Sequence, residues 1–197
     1  MKTSLIKTLI VIGTILTFNA NAQNDYVIKI QGDSIPCKIT TPLIGGAKYK
    51  SDTMRESKRI KPTEIREYYI ARKDFRERSV YTDSTSSPRF MTIVEKGKIS
   101  LYQMIYSNYH NGITTSTTEW YVGKGSDYVS DLKTSSLFAF KSKQKRKDNF
   151  EEMLKDNKEV YDKYKADDKF SFKQIRNLVH LYNTGKPMEP EKTKDYD

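Results

Sequence analysis

A run of basic side chains is the strongest charge feature of the chain. Its members are Lys141, Lys143, Lys145, Arg146 and Lys147. If the helix predicted around Phe150 extends backward, Lys143 and Arg146 fall on the face that is apolar downstream. Burying unpaired charge is costly, so we expect this stretch to stand in water, away from the sheet. Lys143, Lys145, Arg146 and Lys147 are therefore candidate contacts for an anionic ligand. The alternative is a basic surface that is simply solvated.

A serine nucleophile is the next chemistry to test, because Gly32-Asp33-Ser34-Ile35 imitates the nucleophile block of GDS-type esterases. In those enzymes the serine opens a helix and is served by a histidine with an aspartate three positions earlier. Ser34 instead precedes a strand pattern, and neither His110 nor His180 has that aspartate. A serine without a base is not activated. We interpret the motif as a hairpin turn and expect no catalytic residue here.

The sequence offers little for a metal or a cofactor. His110, His180 and Cys37 show no ligand spacing on a common element. Asp127 and Asp131 lack the pattern of a calcium-binding loop, and the chain has no glycine-rich phosphate loop. We therefore expect neither a metal nor a cofactor, and we interpret Cys37 as a buried thiol of apolar character.

Paired carboxylates are a further possibility, because residues that hydrolyse a glycosidic bond meet in space from distant positions. Several glutamates lie in or beside predicted strands, and most alternate toward the solvent face. They are Glu64, Glu67, Glu77, Glu95 and Glu119. A hydrolase of envelope or dietary polysaccharide is therefore an alternative function.

Aromatic side chains are frequent in the same region. Rings that stack on sugars are one interpretation, and ordinary strand residues are the interpretation we favour. The residues concerned are Trp120, Tyr68, Tyr69, Tyr102, Tyr106, Tyr109 and Tyr121.

From residue 25 to about residue 122 apolar and polar residues alternate with a period of two, which predicts strands. Residues 26, 28 and 30 form one apolar series and residues 35, 37 and 39 another. The turn Gly32-Asp33 between them predicts a hairpin with one apolar face, and Pro36 indicates a sheet edge.

A second hairpin is predicted around Lys96-Gly97-Lys98, with strands at residues 90–95 and 99–106. A turn at residues 108–112 leads to one more strand. We count seven or eight strands, mostly antiparallel because the connections are short. Whether the sheet curls or partly closes as a barrel is left open.

Helical spacing replaces this alternation after Gly125. Ser171 and Gln174 form a capping box, an apolar stripe follows, and Gly185 indicates the helix end. The predicted fold class is α+β, with a mostly antiparallel sheet at about residues 25–132. Two or three C-terminal helices follow at about residues 143–184. One domain spans residues 23–185, and the charged residues 186–197 are predicted to be a disordered tail.

The amino terminus has the composition of an export signal. Lys2 and Lys7 precede an apolar core at residues 9–18, and small residues precede Gln23. That core is shorter than the about 20 apolar residues of a membrane-spanning helix. We predict a cleaved signal peptide over residues 1–22 and an exported protein, in the periplasm or at the cell surface, with no transmembrane segment after cleavage. Without Lys2 and Lys7 the net charge of +10 becomes +8.

Three segments share features with one known family. They are the hairpin with Gly32-Asp33 at its turn, the stretch Glu-Lys-Gly-Lys-Ile-Ser-Leu-Tyr from Glu95, and the closing helix that ends in Leu-Tyr-Asn at Asn183. In these segments the chain resembles small exported proteins of Bacteroidota with no assigned activity. The resemblance implies an envelope location and a protein without catalytic activity, and it supplies no site residues.

The function expected from the sequence is therefore non-catalytic: an exported binding or envelope-assembly protein. Its basic charge indicates an anionic polysaccharide or lipid head groups as the partner, or an envelope protein. Export argues against nucleic acid. The alternatives are the carboxylate hydrolase and, if the sheet closes, a carrier of a small ligand or lipid.

Overall fold

The computed structural model describes residues 24–83, 85–135, 142–167 and 169–189. Within these ranges eleven strands come first and three α-helices follow. This order confirms the predicted α+β fold class. The predicted signal peptide, Lys141 and the residues after Glu189 lie outside the described residues.

The strands carry the following bounds. They are β1 (Tyr26–Lys29), β2 (Ser34–Pro36), β3 (Lys38–Thr40), β4 (Lys48–Lys50), β5 (Lys58–Arg59), β6 (Ile65–Ile70), β7 (Phe75–Thr82), β8 (Arg89–Glu95), β9 (Ile99–His110), β10 (Ile113–Lys124) and β11 (Tyr128–Thr134). The helices are α1 (Lys143–Leu154), α2 (Lys158–Ala166) and α3 (Phe172–Thr184), and a short 3-10 helix (Ala71–Lys73) joins β6 to β7.

Eight of the described strands form one sheet in the order β11-β10-β9-β8-β7-β6-β1-β2. Its edge strand β2 contains Pro36, as predicted. β11 also pairs in parallel with the end of β7, where Tyr128 faces Tyr81 and Val129 faces Thr82. Strands β7 to β11 consequently form a ring, and the sheet is partly closed.

The first hairpin differs from its prediction in two ways. The fully buried residue of β1 is Val27, which lies opposite Ile35, whereas Ile30 is exposed. The chain also leaves the sheet at Cys37, and β3 joins a separate three-stranded sheet with β4 and β5. The Asp25 carboxylate holds this junction, because it accepts hydrogen bonds from the backbone N–H groups of Ile39 and Ala71, each at 2.8 Å.

The hairpin of β9 and β10 is longer than predicted. β9 continues to His110 instead of ending near residue 106. Asn111 and Gly112 then reverse the chain with φ angles of 49° and 80°, the conformation that Asn-Gly turns adopt between antiparallel strands. The outer half of this hairpin extends beyond its neighbouring strands.

The three helices cover one face of the sheet. Buried side chains from all three pack on Ile99, Leu101 and Trp120 of the sheet. The predicted ends of α3 are confirmed: the Ser171 hydroxyl accepts from Gln174 N–H, and Gly185 ends the helix with a φ of 69°. The second half of the predicted capping box does not form, because the Gln174 side chain donates to the Asp167 carbonyl instead of accepting from Ser171 N–H. None of the helices within the described residues has the length and apolar character needed to cross a membrane.

The interior of the ring is filled. The side chains of Val80, Met91, Tyr102, Tyr121 and Val129 form a buried cluster there. This cluster lies on the sheet face opposite to the helices, so the sheet has a core on each side.

Asp127, in the turn between β10 and β11, stabilises the pairing of β11 with β7 that closes the ring. Its carboxylate accepts hydrogen bonds from Arg78 at 2.6 and 3.1 Å and from Arg66 at 2.9 Å. Its backbone carbonyl accepts from Tyr81 N–H at 2.8 Å. Burial by itself would raise the pKa of Asp127, but the two guanidinium groups outweigh burial and hold this pKa below its usual value.

A pH dependence follows from the lowered pKa of Asp127. The ionised carboxylate stabilises the fold fully above the pKa of an unfolded aspartate, about 3.9, and this contribution is lost as the pH falls through the lower folded value. We expect Asp127→Asn to reduce the free energy of unfolding at pH 7 by about 1–2 kcal/mol, and to reduce the loss of stability between pH 5 and pH 2.5. Urea unfolding across this range is the measurement. Asp52→Asn, at an exposed position, is the control, and an equal acid sensitivity of Asp127→Asn and wild type would contradict the prediction.

Candidate functional site

A cavity of about 530 Å³ opens where the ring of strands is incomplete. The pairing of β7 with β11 ends at Val129, and beyond it the cavity lies between the end of β11 and the loop that follows β7. Thr85 from that loop, Arg89 from β8 and Arg146 from α1 line it. Its volume lies in the usual range for small-molecule sites, about 300–1,000 Å³.

Strand β10 supplies the floor of the cavity by the alternation of its side chains. Glu119 and Tyr121 point to the ring side, and the Tyr121 hydroxyl donates a hydrogen bond to Glu119 Oε2 at 2.6 Å. Trp120 lies between them in sequence and packs on the helices, with its ring centre 4.6 Å from the ring centre of Phe172. One strand therefore gives the cavity both a carboxylate and aromatic surface.

Tyr121 keeps its proton in this setting. Burial raises its pKa, and the hydrogen bond to the Glu119 carboxylate raises the pKa further. Tyr106 stands beside it and accepts a long hydrogen bond of 3.4 Å from Arg89 Nη1. Two residues of the wall are thus held by tyrosine hydroxyl groups: the acidic Glu119 by Tyr121, and the basic Arg89 by Tyr106.

A bulge in β11 directs Lys133 toward the helices. The pairing with β10 shifts between Trp120 and Tyr121, and the Lys133 ammonium lies 5.1 Å from the centre of the Phe172 ring. Burial lowers the pKa of Lys133, and the nearby charges of Lys143 and Arg146 lower it further. Positive charge is therefore concentrated beside the cavity.

The predicted basic run is divided between two environments. Lys143 and Lys145 are exposed on the first turn of α1, and Lys147 is half-buried. Arg146 is buried and lines the cavity. The expectation that the whole run stands in water is thus wrong for Arg146. A long aliphatic stem lets an arginine pack against the sheet while its charged group reaches a polar site.

The carboxylates predicted to face solvent are also placed differently. Glu67 is only 2% exposed and binds Lys96 Nζ at 2.8 Å, with Arg76 Nε at 3.5 Å. Glu77 accepts a hydrogen bond from Tyr68, and burial raises the pKa of this carboxyl group.

Of the other glutamates, Glu64 is exposed and pairs with Lys61, and Glu95 pairs with Arg176 at 3.0 Å. Glu119 is the member of the predicted set that lines the cavity. Asp131 of β11, which lies opposite Tyr121, brings a second carboxylate to the same wall.

Of the residues weighed for nucleophilic or metal chemistry, Asp131 lines the cavity, whereas Ser34, Cys37 and His110 lie apart from the lining. Ser34 is exposed at the start of β2, and His110 is exposed at the end of the β9–β10 hairpin. Burial raises the pKa of the Cys37 thiol to about 11, so this thiol is protonated at neutral pH. Among the described residues, His, Cys, Asp and Glu side chains form no group of three that could hold a metal ion.

Arg89 and Lys133 were missed by sequence reasoning. Both lie just outside the predicted strands, which begin at residue 90 and end at about residue 132, whereas the structure places Arg89 in β8 and Lys133 in β11. The signal available in the sequence was the aromatic content of β10, since Trp120 and Tyr121 were both considered for a sugar-binding face.

The chain matches no protein-family model, no curated protein and no solved structure in the comparisons made.

Proposed function

We propose that the protein is an exported, non-catalytic binding protein whose cavity holds an acidic saccharide of the cell envelope. The composition of the cavity wall is the main support. Three basic side chains, two carboxylates and three aromatic rings line it. They are Arg89, Lys133, Arg146, Glu119, Asp131, Tyr106, Trp120 and Tyr121.

Each class of side chain has a partner on such a ligand. A guanidinium group donates paired hydrogen bonds to a carboxylate or sulfate. Glu119 and Asp131 are acceptors for sugar hydroxyl groups. Aromatic rings give apolar contact to the faces of a sugar ring, in the way that small-ligand sites combine apolar walls with few polar groups.

The electrostatics of the wall favour an anion. The pKa of Lys133 is lowered by burial and by its cationic neighbours, so a negative group placed there would relieve repulsion. Lys143 and Lys145 extend the positive surface outward along α1. A polymer that enters the cavity with one residue would meet these lysines with the next. The export signal and the family resemblance predicted from the sequence support this proposal, because such polymers occur in the cell envelope.

The proposed binding can be measured by titration calorimetry of the mature chain with oligogalacturonate, using neutral malto-oligosaccharide of equal length as the reference. We expect binding of the acidic oligomer only. Arg89→Gln should weaken it by about 10- to 100-fold, because a hydrogen bond to a charged group contributes about 1.5–3 kcal/mol. Changing Lys143, Lys145 and Lys147 together to glutamine should weaken it several-fold at low salt and less at physiological ionic strength, where screening acts over about 8 Å.

A matched control tests whether net charge alone explains the result. Glutamine at Lys155, Lys158 and Lys163 removes the same number of positive charges at exposed positions before and along α2. An equal loss of binding in this control, or no binding by wild type at low salt, would refute the cavity as the site.

A second candidate function is supported by the two carboxylates in one cavity. Glu119 and Asp131 would correspond to the acid and base pair of a polysaccharide hydrolase. Release of new reducing ends from the oligosaccharide by wild type, and its loss in Glu119→Gln, would favour this candidate. The carrier alternative has no support in the described residues, because side chains fill the interior of the ring.

A further inference from the structure

The small sheet of β3, β4 and β5 presents cations on one face. Lys38 lies opposite Lys50, and Lys48 lies opposite both Thr40 and Arg59. All four basic side chains are exposed. Like charges directly across a sheet destabilise it, so these pairs are unfavourable unless an anionic partner is present.

The surrounding segment is strongly positive. Residues 38–61 contain seven basic and two acidic residues, a net charge of +5 in 24 residues. Within the described part of the chain, the ion pairs that form elsewhere do not include Lys38, Lys48, Lys50 or Arg59. Their charge is therefore not neutralised by these acids.

The loop between β3 and β4 carries two aliphatic side chains at its tip. Leu43 is 106% exposed and Ile44 is 90% exposed, the highest values for large apolar residues in the described ranges. Gly45 and Gly46 follow with φ angles of 94° and 74°, which glycine adopts readily. These glycines turn the chain back toward β4, so the aliphatic pair projects from the small sheet.

The tip and the cations have a common orientation. The loop leaves β3 at Thr40 and enters β4 at Lys48, so the row of Thr40, Lys48 and Arg59 lies next to the tip. Arg59 also lies beside Gly46 of the loop. The row of Lys38 and Lys50 follows two residues behind, about 7 Å further from the tip. Leu43 and Ile44 are thus the outermost groups, and the basic side chains lie behind them in two rows.

From this arrangement we propose that the β3–β5 sheet docks on an anionic lipid bilayer, with Leu43 and Ile44 inserted among the acyl chains. Basic side chains near a membrane attract anionic head groups, and apolar side chains that enter the interface add affinity in proportion to their buried area. A glycan or nucleic acid satisfies the cations equally well, but it offers no apolar phase for the aliphatic pair. The bilayer accounts for both features. This surface is separate from the cavity, so the proposal does not depend on the proposed function.

Co-sedimentation of the mature chain with vesicles tests this docking. We expect binding to phosphatidylcholine vesicles that contain about one third phosphatidylglycerol, and none to pure phosphatidylcholine. Leu43→Ser with Ile44→Ser should weaken binding by about tenfold or more. Glutamine at Lys48 and at Arg59 should each weaken it about fivefold at low salt. Smaller losses are expected at Lys38 and Lys50, which lie further from the tip.

Two controls locate the contact. Ile105→Ser with Ile113→Ser removes two exposed aliphatic side chains from the β9–β10 hairpin and should leave vesicle binding unchanged. In a separate variant, Leu43→Trp, lipids brominated in the acyl chains should quench the added tryptophan fluorescence. Such quenching reports insertion into the bilayer and not only attraction to its surface. All substitutions lie at exposed positions, and equal thermal unfolding temperatures would confirm intact folds.

Three results would overturn the proposal. The first is the absence of wild-type binding to anionic vesicles at low salt. The second is unchanged binding after loss of Leu43 and Ile44, which would reduce the surface to a simple polybasic patch. The third is an equal loss in the control at Ile105 and Ile113, which would indicate unspecific apolar adhesion.

Discussion

Phe150→Ala should lower the free energy of unfolding by about 3–5 kcal/mol. Phe150 is 0% exposed in α1 and makes edge contacts with two other rings, Tyr164 of α2 at 5.6 Å and Phe170 before α3 at 6.2 Å between ring centres. The side chain therefore holds all three helical segments together. The sheet bounds this core on the other side, so the cavity left by alanine cannot collapse easily.

Urea unfolding at neutral pH, of the chain from Gln23 onward, measures this loss. Phe150→Leu should cost less, because it keeps most of the apolar volume. Glu152→Ala, on the exposed side of α1, should change stability by no more than about 0.5 kcal/mol. If Phe150→Ala and Glu152→Ala had equal effects, the helices would not form the core described above.

Gly97→Ala should cost about 2–4 kcal/mol through a contact between distant segments. A methyl group on Gly97 would lie 2.5 Å from Nδ2 and Oδ1 of Asn183 at the end of α3. The Asn183 amide accepts a hydrogen bond from Ile99 N–H at 3.0 Å and donates one to the Ile99 carbonyl at 2.7 Å. The alanine would displace this amide, which adds the loss of its hydrogen bonds to the strain of overpacking.

A double-mutant cycle gives the decisive measurement for this contact. Asn183→Ala alone removes both hydrogen bonds and should cost about 1–3 kcal/mol. Asn183→Ala also removes the side chain that a methyl group on Gly97 would meet. Gly97→Ala should therefore cause little further loss of stability in the Asn183→Ala variant. Strictly additive losses would show that the two residues do not meet.

This contact joins two of the three segments on which the predicted family resemblance rests. The stretch that begins at Glu95 and the helix end at Asn183 are far apart in sequence, yet they meet through Gly97 and Ile99. A small residue in the turn and an amide on the helix are required together. The resemblance to exported proteins of Bacteroidota itself stays a prediction.

Local pattern was sufficient for the elements whose signals lie within one segment. The caps of α3 at Ser171 and Gly185 were predictable because a cap depends on a side chain and backbone a few residues apart. The edge position of β2 followed from Pro36, which lacks the N–H that a central strand needs. The α+β order likewise followed from the change of hydrophobic period after Gly125.

Local pattern failed where one segment meets another that is remote in the chain. Glu67 resembles a solvent-facing residue in β6, but Arg76 of β7 and Lys96 of the turn between β8 and β9 stabilise its charge in a buried position. The break of the first hairpin at Cys37 depends in the same way on Asp25, which captures the backbone of Ile39.

The amino-acid sequence by itself determined the class of the fold, the limits of α3 and the turn between β1 and β2, because periodicity and capping are properties of neighbouring residues. Only the tertiary structure decided that β11 returns to β7, that the ring stays open past Val129, and that Arg146 lines the gap. Ring closure depends on the accumulated twist of several strands, and the burial of a charge depends on the partners that this closure brings to it.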